Sequence, residues 1–239
     1  MCVADWMRDQ FSNERLGAAL AQPALWGGWN GPWSPGTAAN LLLYECIANH
    51  EIIGGPAALT QALEASARSF GVQIRTGAAV RRIRTDSNGI QGVTLEDGEE
   101  IDAQVVGASC DPKQTFLDLI GAERLSVRLS RDIGAIRTRG TTAKVHLALK
   151  GPLTDRHGNT VEAMRTGASL DDLERAFDPI KYRQMSTKPI LDVRVPSVQD
   201  SSLAPEGHHM VSIISHFAPY HLEGGWTDAA RSRLEDSII

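Results

Sequence analysis

Between Pro56 and Phe70 the residues Leu59, Ala62, Leu63, Ser66, Ala67 and Phe70 recur at i, i+3, i+4, i+7, i+8 and i+11. That continuous stripe predicts an amphipathic helix, with Pro56 suited to its first turn and Gly71 to its end. Ahead of it "EII" (51–53) reads as a short apolar strand running into Gly54 and Gly55. After it "VQIRT" (72–76) and "AVRRIRT" (79–85) alternate as strands, "SNG" (87–89) turns, and "IQGVTLE" and "EEIDAQVV" follow as two more strands around Asp97-Gly98, a strong hairpin signal. The pattern is therefore strand, helix, strand and a three-stranded antiparallel meander.

The flanking segments carry the same two periods. Val3, Trp6, Met7, Phe11, Leu16 and Leu20 fall at roughly helical spacing, predicting one or two helices that Pro23 ends. "WGGWNGPWSPG" (26–36), with four glycines and three tryptophans, is a loop, and Thr37 is positioned to cap a helix over "AANLLLYECIANH". "TTAKVHLALK" (141–150) alternates, with Ala143, Val145, Leu147 and Leu149 on one face and Thr142, Lys144, His146 and Ala148 on the other. Leu170 to Tyr182 reads as a helix, "PILDVRVP" and "HHMVSIISHFA" as strands, and Thr227 opens a terminal helix. That helix stops at the last residue without a capping signal, so the expectation is a fragment of something longer.

Composition narrows the function classes. The 239 residues suffice for one large domain or two small ones, and a net charge of -5 offers no basic surface for nucleic acid or anionic membrane. Cys2, Cys46 and Cys110 are odd in number and far apart, which frames neither a disulfide scaffold nor a metal site. With no membrane-length apolar run and charges where a signal peptide would be apolar, a cytoplasmic protein is expected.

Candidate chemistry is sparse. His208, His209, His216 and His221 invite a metal, but adjacent strand residues point to opposite faces and no thiol or carboxylate stands at ligand spacing, so surface and edge histidines are the simpler reading. There is no Gly-x-Ser-x-Gly, and residues 140–144 lack the glycines of a phosphate loop. The tryptophan loop is either a ligand-facing wall or core and interface packing. Gly54 and Gly55 are the better lead. A glycine pair ahead of a helix N-terminus lets backbone approach a ligand that faces free N–H groups, or it makes a tight turn and nothing more.

The succession of glycine corner, long helix, meander and "VVGASCDP" resembles the flavoprotein superfamily of phytoene desaturases and flavin amine oxidases. It is most similar to the phytoene-desaturase-like branch that includes the pyridine nucleotide-disulfide oxidoreductase domain-containing protein 2 group. The resemblance rests on "GPWSPGTAANLLL" (31–43), "GGPAALTQALEASARSFGVQIRTGAAVRRI" (54–83), "GVTLEDGEEIDAQVVGASCDPKQTF" (92–116) and "RGTTAKVHLAL" (139–149). It implies FAD as cofactor in a full-length parent, with Gly54 and Gly55 near the flavin end and the backbone of Val80 at the adenine. The turn Ala108–Ser109 would lie where the meander re-enters the cofactor domain. Lys144 looks like the lysine that in amine oxidases holds a water at flavin N5; a solvated strand lysine is the alternative. The family's Gly-x-Gly-x-x-Gly, which seats the pyrophosphate, is absent, so the principal phosphate cradle would be encoded upstream and FAD binding by the chain alone is not expected.

The expected fold is α/β with α+β character: a partial FAD-binding-type domain with a three-stranded meander over residues 50–112, and a substrate domain of antiparallel sheet and flanking helices over 1–49 and 113–239. The implied function is an FAD-dependent oxidoreductase abstracting hydride from a C–H bond of a small, apolar substrate, with homo-oligomerisation open. The alternative is a non-catalytic interaction module using the tryptophan loop. Catalysis would fall to Lys144, cofactor contact to Gly54, Gly55, Val80, Ala108 and Ser109, and no metal is expected.

Overall fold

The computed structural model describes residues 1–47 and 52–239. In chain order the helices are α1 (Val3–Gln10), α2 (Glu14–Ala21), α3 (Thr37–Ile47), α4 (Gly55–Ser69), α5 (Val127–Ala135), α6 (Leu170–Phe177) and α7 (Asp228–Ile238). The strands are β1 (Val80–Asp86), β2 (Gly89–Leu95), β3 (Glu100–Asp102), β4 (Thr142–Leu149), β5 (Ala163–Arg165), β6 (Ile190–Arg194) and β7 (His209–His216). The chain divides into a first unit, 1–62 with 139–239, and a second, 63–138. As the alternating patterns anticipate, the fold mixes helices with two antiparallel sheets, one of three strands and one of four.

The first unit is built on the four-stranded sheet, in the order β4-β7-β6-β5. Strict alternation along these strands separates two faces. Val145, Leu147, Leu191, Val193, Val211 and Ile213 share one of them and pack with Leu234 and Ile238 of α7. Thr227 accepts the Ala230 amide at 3.2 Å and so caps that helix. At the Ile190 end of the opposite face, Val3, Met7, Ala18, Leu173, Phe177 and Phe217 form the larger buried cluster. Each large side chain sealed there contributes about 1.5–3 kcal/mol.

Local chemistry explains the helix boundaries. Cys2 and Asn13 accept the Asp5 and Leu16 amides and start α1 and α2, so the predicted N-terminal stretch becomes two helices with a break at Phe11–Asn13. Ser169 starts α6 by accepting the Asp172 amide, and the turns after Phe177 tighten into a 3₁₀ segment, Asp178–Tyr182. Thr37 does not cap α3. It is the first helical residue, and its Oγ1 accepts the Val3 amide at 2.8 Å while donating to the Ser34 carbonyl, which ties α1 to α3. The predicted extension of α3 over 48–50 and the start of the "EII" strand at 51 lie outside the described residues. Ile52 and Ile53 are not in a strand.

The second unit holds the meander β1-β2-β3. The turn at 87–88 and the bend at Asp97-Gly98 fall where the sequence places them, Gly98 having φ +92°. Two strand expectations are corrected. Residues 72–76 form no strand and pair in no ladder, and only Glu100–Asp102 of the last predicted strand joins the ladder. A π-helical segment, Gln114–Gly121, and α5 complete the unit.

Candidate functional site

The glycine corner is stereochemically demanding. Gly54 and Gly55 have φ of +82° and +70°, a region side chains rarely occupy. A Cβ on Gly54 would stand 3.0 Å from that of Ala58, and one on Gly55 3.2 Å from Leu203 Cδ2. The Gly54 amide donates to Asp200 Oδ2 at 2.9 Å. Asp200 also accepts from the Ser202 hydroxyl and amide, and these donors, the Ser202 hydroxyl foremost, hold its carboxyl below the usual range. The corner opens onto a cleft of about 670 Å³ walled by Ile52, Ile53, Pro56, Leu203 and Met210.

Met210 leads from this cleft onto the polar face of the four-stranded sheet. Register places Lys144, Ile214, Asp192 and Arg165 in one row across the strands, and His146, Ser212, Arg194 and Ala163 in the next. Lys144 is exposed. Ile214 lies four residues along β7 from Met210 on the same face, so the Lys144 row stands about 13 Å from the cleft's edge. Asp192 is buried, and its two oxygens accept from Arg165 Nε at 3.1 Å and Arg194 Nε at 3.0 Å. The two rows thus carry three cations against one carboxylate, an environment suited to developing negative charge.

His216, opposite Thr142 and Ile190, closes the helix-covered end of this face. It is only 2 % exposed, which corrects its expected place among surface and edge histidines. Burial pushes its pKa down to about 4, Asp192 opposing and Arg165 adding to the shift, so the imidazole is neutral near pH 7. Its Nε2 has no hydrogen-bond partner, and neither has the buried Nε1 of Trp26, whose ring lies 6.3 Å from it.

The tryptophan loop divides three ways. Trp26 packs edge-on to Tyr44 at 4.7 Å, Trp33 lies under the Arg8 guanidinium at 4.3 Å, and Trp29 meets Phe177 edge-on at 5.6 Å while remaining 44 % exposed.

Of the residues singled out from sequence, the first unit holds Gly54, Gly55 and Lys144. Val80, Ala108 and Ser109 lie in the second unit. There Val80 opens β1 opposite Leu95 at an irregular register step, and Ala108 and Ser109 sit exposed in the unpaired stretch after β3. Sequence reasoning missed Asp192, Arg165, Arg194 and Asp200. A charged residue inside the otherwise apolar run "ILDV" was the available signal for Asp192.

Comparison with known proteins decides the family. The model of the flavin-containing amine oxidoreductases matches residues 4–231. The chain belongs to that family. Pyridine nucleotide-disulfide oxidoreductase domain-containing protein 2 of Mus musculus is 30% identical over 99% of the chain and 44% of its own length. The zeta-carotene-forming phytoene desaturase of Myxococcus xanthus is 28% identical over 90% of the chain and 40% of its length. The chain therefore spans less than half the length of these curated relatives. The crystal structure of an oxidoreductase from Methanosarcina mazei superposes with a TM-score of 0.61 at 17% identity, over 99% of the chain and 50% of that one, a likeness of fold.

Members of the family are flavin-dependent, and the donor set at the glycine corner fits one part of FAD. Apolar Ile52, Ile53, Pro56, Leu203 and Met210 line it together with the polar Gln199, Asp200 and Ser201, no side chain projects from Gly55, and no cation lines it among the described residues. That chemistry suits a flat ring system rather than a pyrophosphate. Among the described residues, no three His, Cys, Asp or Glu side chains gather as a metal site would require. No helix among them is long and apolar enough to cross a membrane.

Proposed function

We propose that the chain is the middle part of an FAD-dependent oxidoreductase that removes hydride from a C–H bond of a small-molecule substrate. The observation that carries this reading is the row Lys144–Ile214–Asp192–Arg165 on the polar face of the four-stranded sheet, with Lys144 exposed at its end, reached from the glycine corner along β7. Residues 50–112 would serve FAD, and 1–49 with 113–239 the substrate. In the second unit, Val80, Ala108 and Ser109 would contribute cofactor contacts through their backbones.

The flavin, when bound, supplies the two-electron acceptor. Gly54 and Gly55 keep the corner free of side chains, and Leu203 and Met210 with Ile52 and Ile53 exclude water from an apolar ring edge. Lys144 Nζ would hold a water by hydrogen bond at the sheet face, and that water would take up the proton that leaves the substrate. Arg165 and Arg194 neutralise Asp192, which keeps this face from repelling negative charge.

Without a pyrophosphate cradle the corner should hold FAD only weakly, so reconstitution at up to about millimolar FAD, followed by anaerobic stopped-flow spectroscopy, tests the reading. Lys144→Ala should slow flavin reduction or its reoxidation about a hundredfold. Unchanged rates in both half-reactions would remove Lys144 from the mechanism. No flavin difference spectrum at the highest concentration would remove the reading for this chain.

A further inference from the structure

A second concave site lies in the first unit, away from the glycine corner. Beyond the Thr142–His216 end of β4 and β7, a cavity of about 400 Å³ is lined by three aromatic residues, Trp29, Tyr182 and Tyr220, and by Arg139, Arg183 and His221. Lys181 also borders it, but that ammonium is taken by Asp178 at 2.7 Å and Glu174 at 3.2 Å. Arg139 and Arg183 meet no carboxylate among the described residues, and no Asp or Glu is among the residues lining the cavity. Two guanidinium groups without a carboxylate partner give this concave surface with aromatic walls a positive potential.

The backbones that carry these cations are fixed. Arg183 is held at φ +59°, a conformation uncommon for a residue with a side chain. Its amide donates to the Ile180 carbonyl at 2.9 Å, and its carbonyl accepts the Glu223 amide at 2.8 Å. The segment with Arg139 is tied to the opposite wall by the Tyr220 amide, which donates to the Gly140 carbonyl at 3.0 Å. Trp29 is buttressed by Phe177, and Thr141 Oγ1 donates to the carbonyl of Gly28 beside it at 2.6 Å. The rings of Tyr220 and His221 stand edge to face at 4.9 Å. Planar guanidinium donors on a fixed backbone beside aromatic rings match the chemistry of a flat anion.

We propose that this cavity binds an organic anion, a carboxylate or phosphate monoester on a flat apolar body. Arg139 and Arg183 take the anionic group, and Trp29 and Tyr220 flank the body. The site stands whether or not the flavin reading does, because none of its residues belongs to the glycine corner or to the Lys144 row.

Calorimetric titration of the full chain with 2-naphthoate, 2-naphthyl phosphate and the neutral 2-naphthylmethanol tests the proposal. The better anion should bind saturably, one to one, at least tenfold more tightly than the alcohol, and should weaken as salt is raised. Arg139→Gln and Arg183→Gln should each weaken the anion about tenfold and leave the alcohol unchanged. Whichever anion binds more tightly identifies the head group as carboxylate or phosphate. Equal binding of anion and alcohol, anion binding untouched by both substitutions, or no saturable binding would overturn it. The comparison of charged and neutral probes uses the unsubstituted chain, so a poorly folding variant does not remove the test.

Discussion

The two units differ most in what their own apolar residues touch. In the first, both faces of the four-stranded sheet are covered, one by α7 and the other, at its Ile190 end, by α1, α2 and α6. In the second, only Ile83, Leu95 and Ile133 are buried apolar side chains, while Leu63 and Phe70 are 61 % and 84 % exposed. A sheet or helix is held chiefly by what it buries, so the same secondary-structure signals produce a packed layer in one unit and a largely bare surface in the other.

The largest effect should come from truncating matched aromatic residues. Phe177→Ala in the first unit removes a sealed ring and should lower stability by about 3–5 kcal/mol. Phe70→Ala in the second should stay within about 0.5 kcal/mol. Urea titrations of both variants measure the contrast, and similar losses would erase it.

Acid sharpens the same contrast. His216 titrates near 4 when folded and near 6.5 when unfolded, so the unfolded chain binds the extra proton between those values. Stability is full above about pH 6.5 and falls by about 3 kcal/mol as the pH drops to 4. His216→Phe should flatten that part of the profile. In the second unit Arg75 binds Glu99 through two 2.8 Å hydrogen bonds and holds its carboxyl below the usual range, but the pair is exposed. Arg75→Gln should change stability little, and that little should vanish in high salt. The corner falls between these extremes: Gly54→Ala should cost about 1–2 kcal/mol from its left-handed backbone.

Much of the fold was legible because it is written in local periods. The Leu59–Phe70 stripe, the alternation of Thr142–Leu149, the Asp97-Gly98 bend and the Thr227 cap each act within a few residues. What escaped depends on distant partners. Residues 72–76 alternate like a strand but find no neighbour to pair with. Thr37 spends its hydroxyl on α1 instead of its own helix. The π-helical turn at Gln114–Gly121 leaves nearly the same apolar spacing as an α-helix. At the candidate site, Gly54, Gly55 and Lys144 could be picked out by motif. Asp192 and His216 acquire their character from Arg165 and Trp26, which no window along the sequence brings beside them.

The central claim is that the glycine corner and the cleft at Met210 receive the ring end of FAD. Photolysis of the chain with 8-azido-FAD, followed by peptide mass spectrometry, tests it most directly. The account predicts adducts on peptides spanning 52–58 and 199–210, suppressed by excess FAD. Adducts elsewhere, or labelling that excess FAD leaves unchanged, would contradict it.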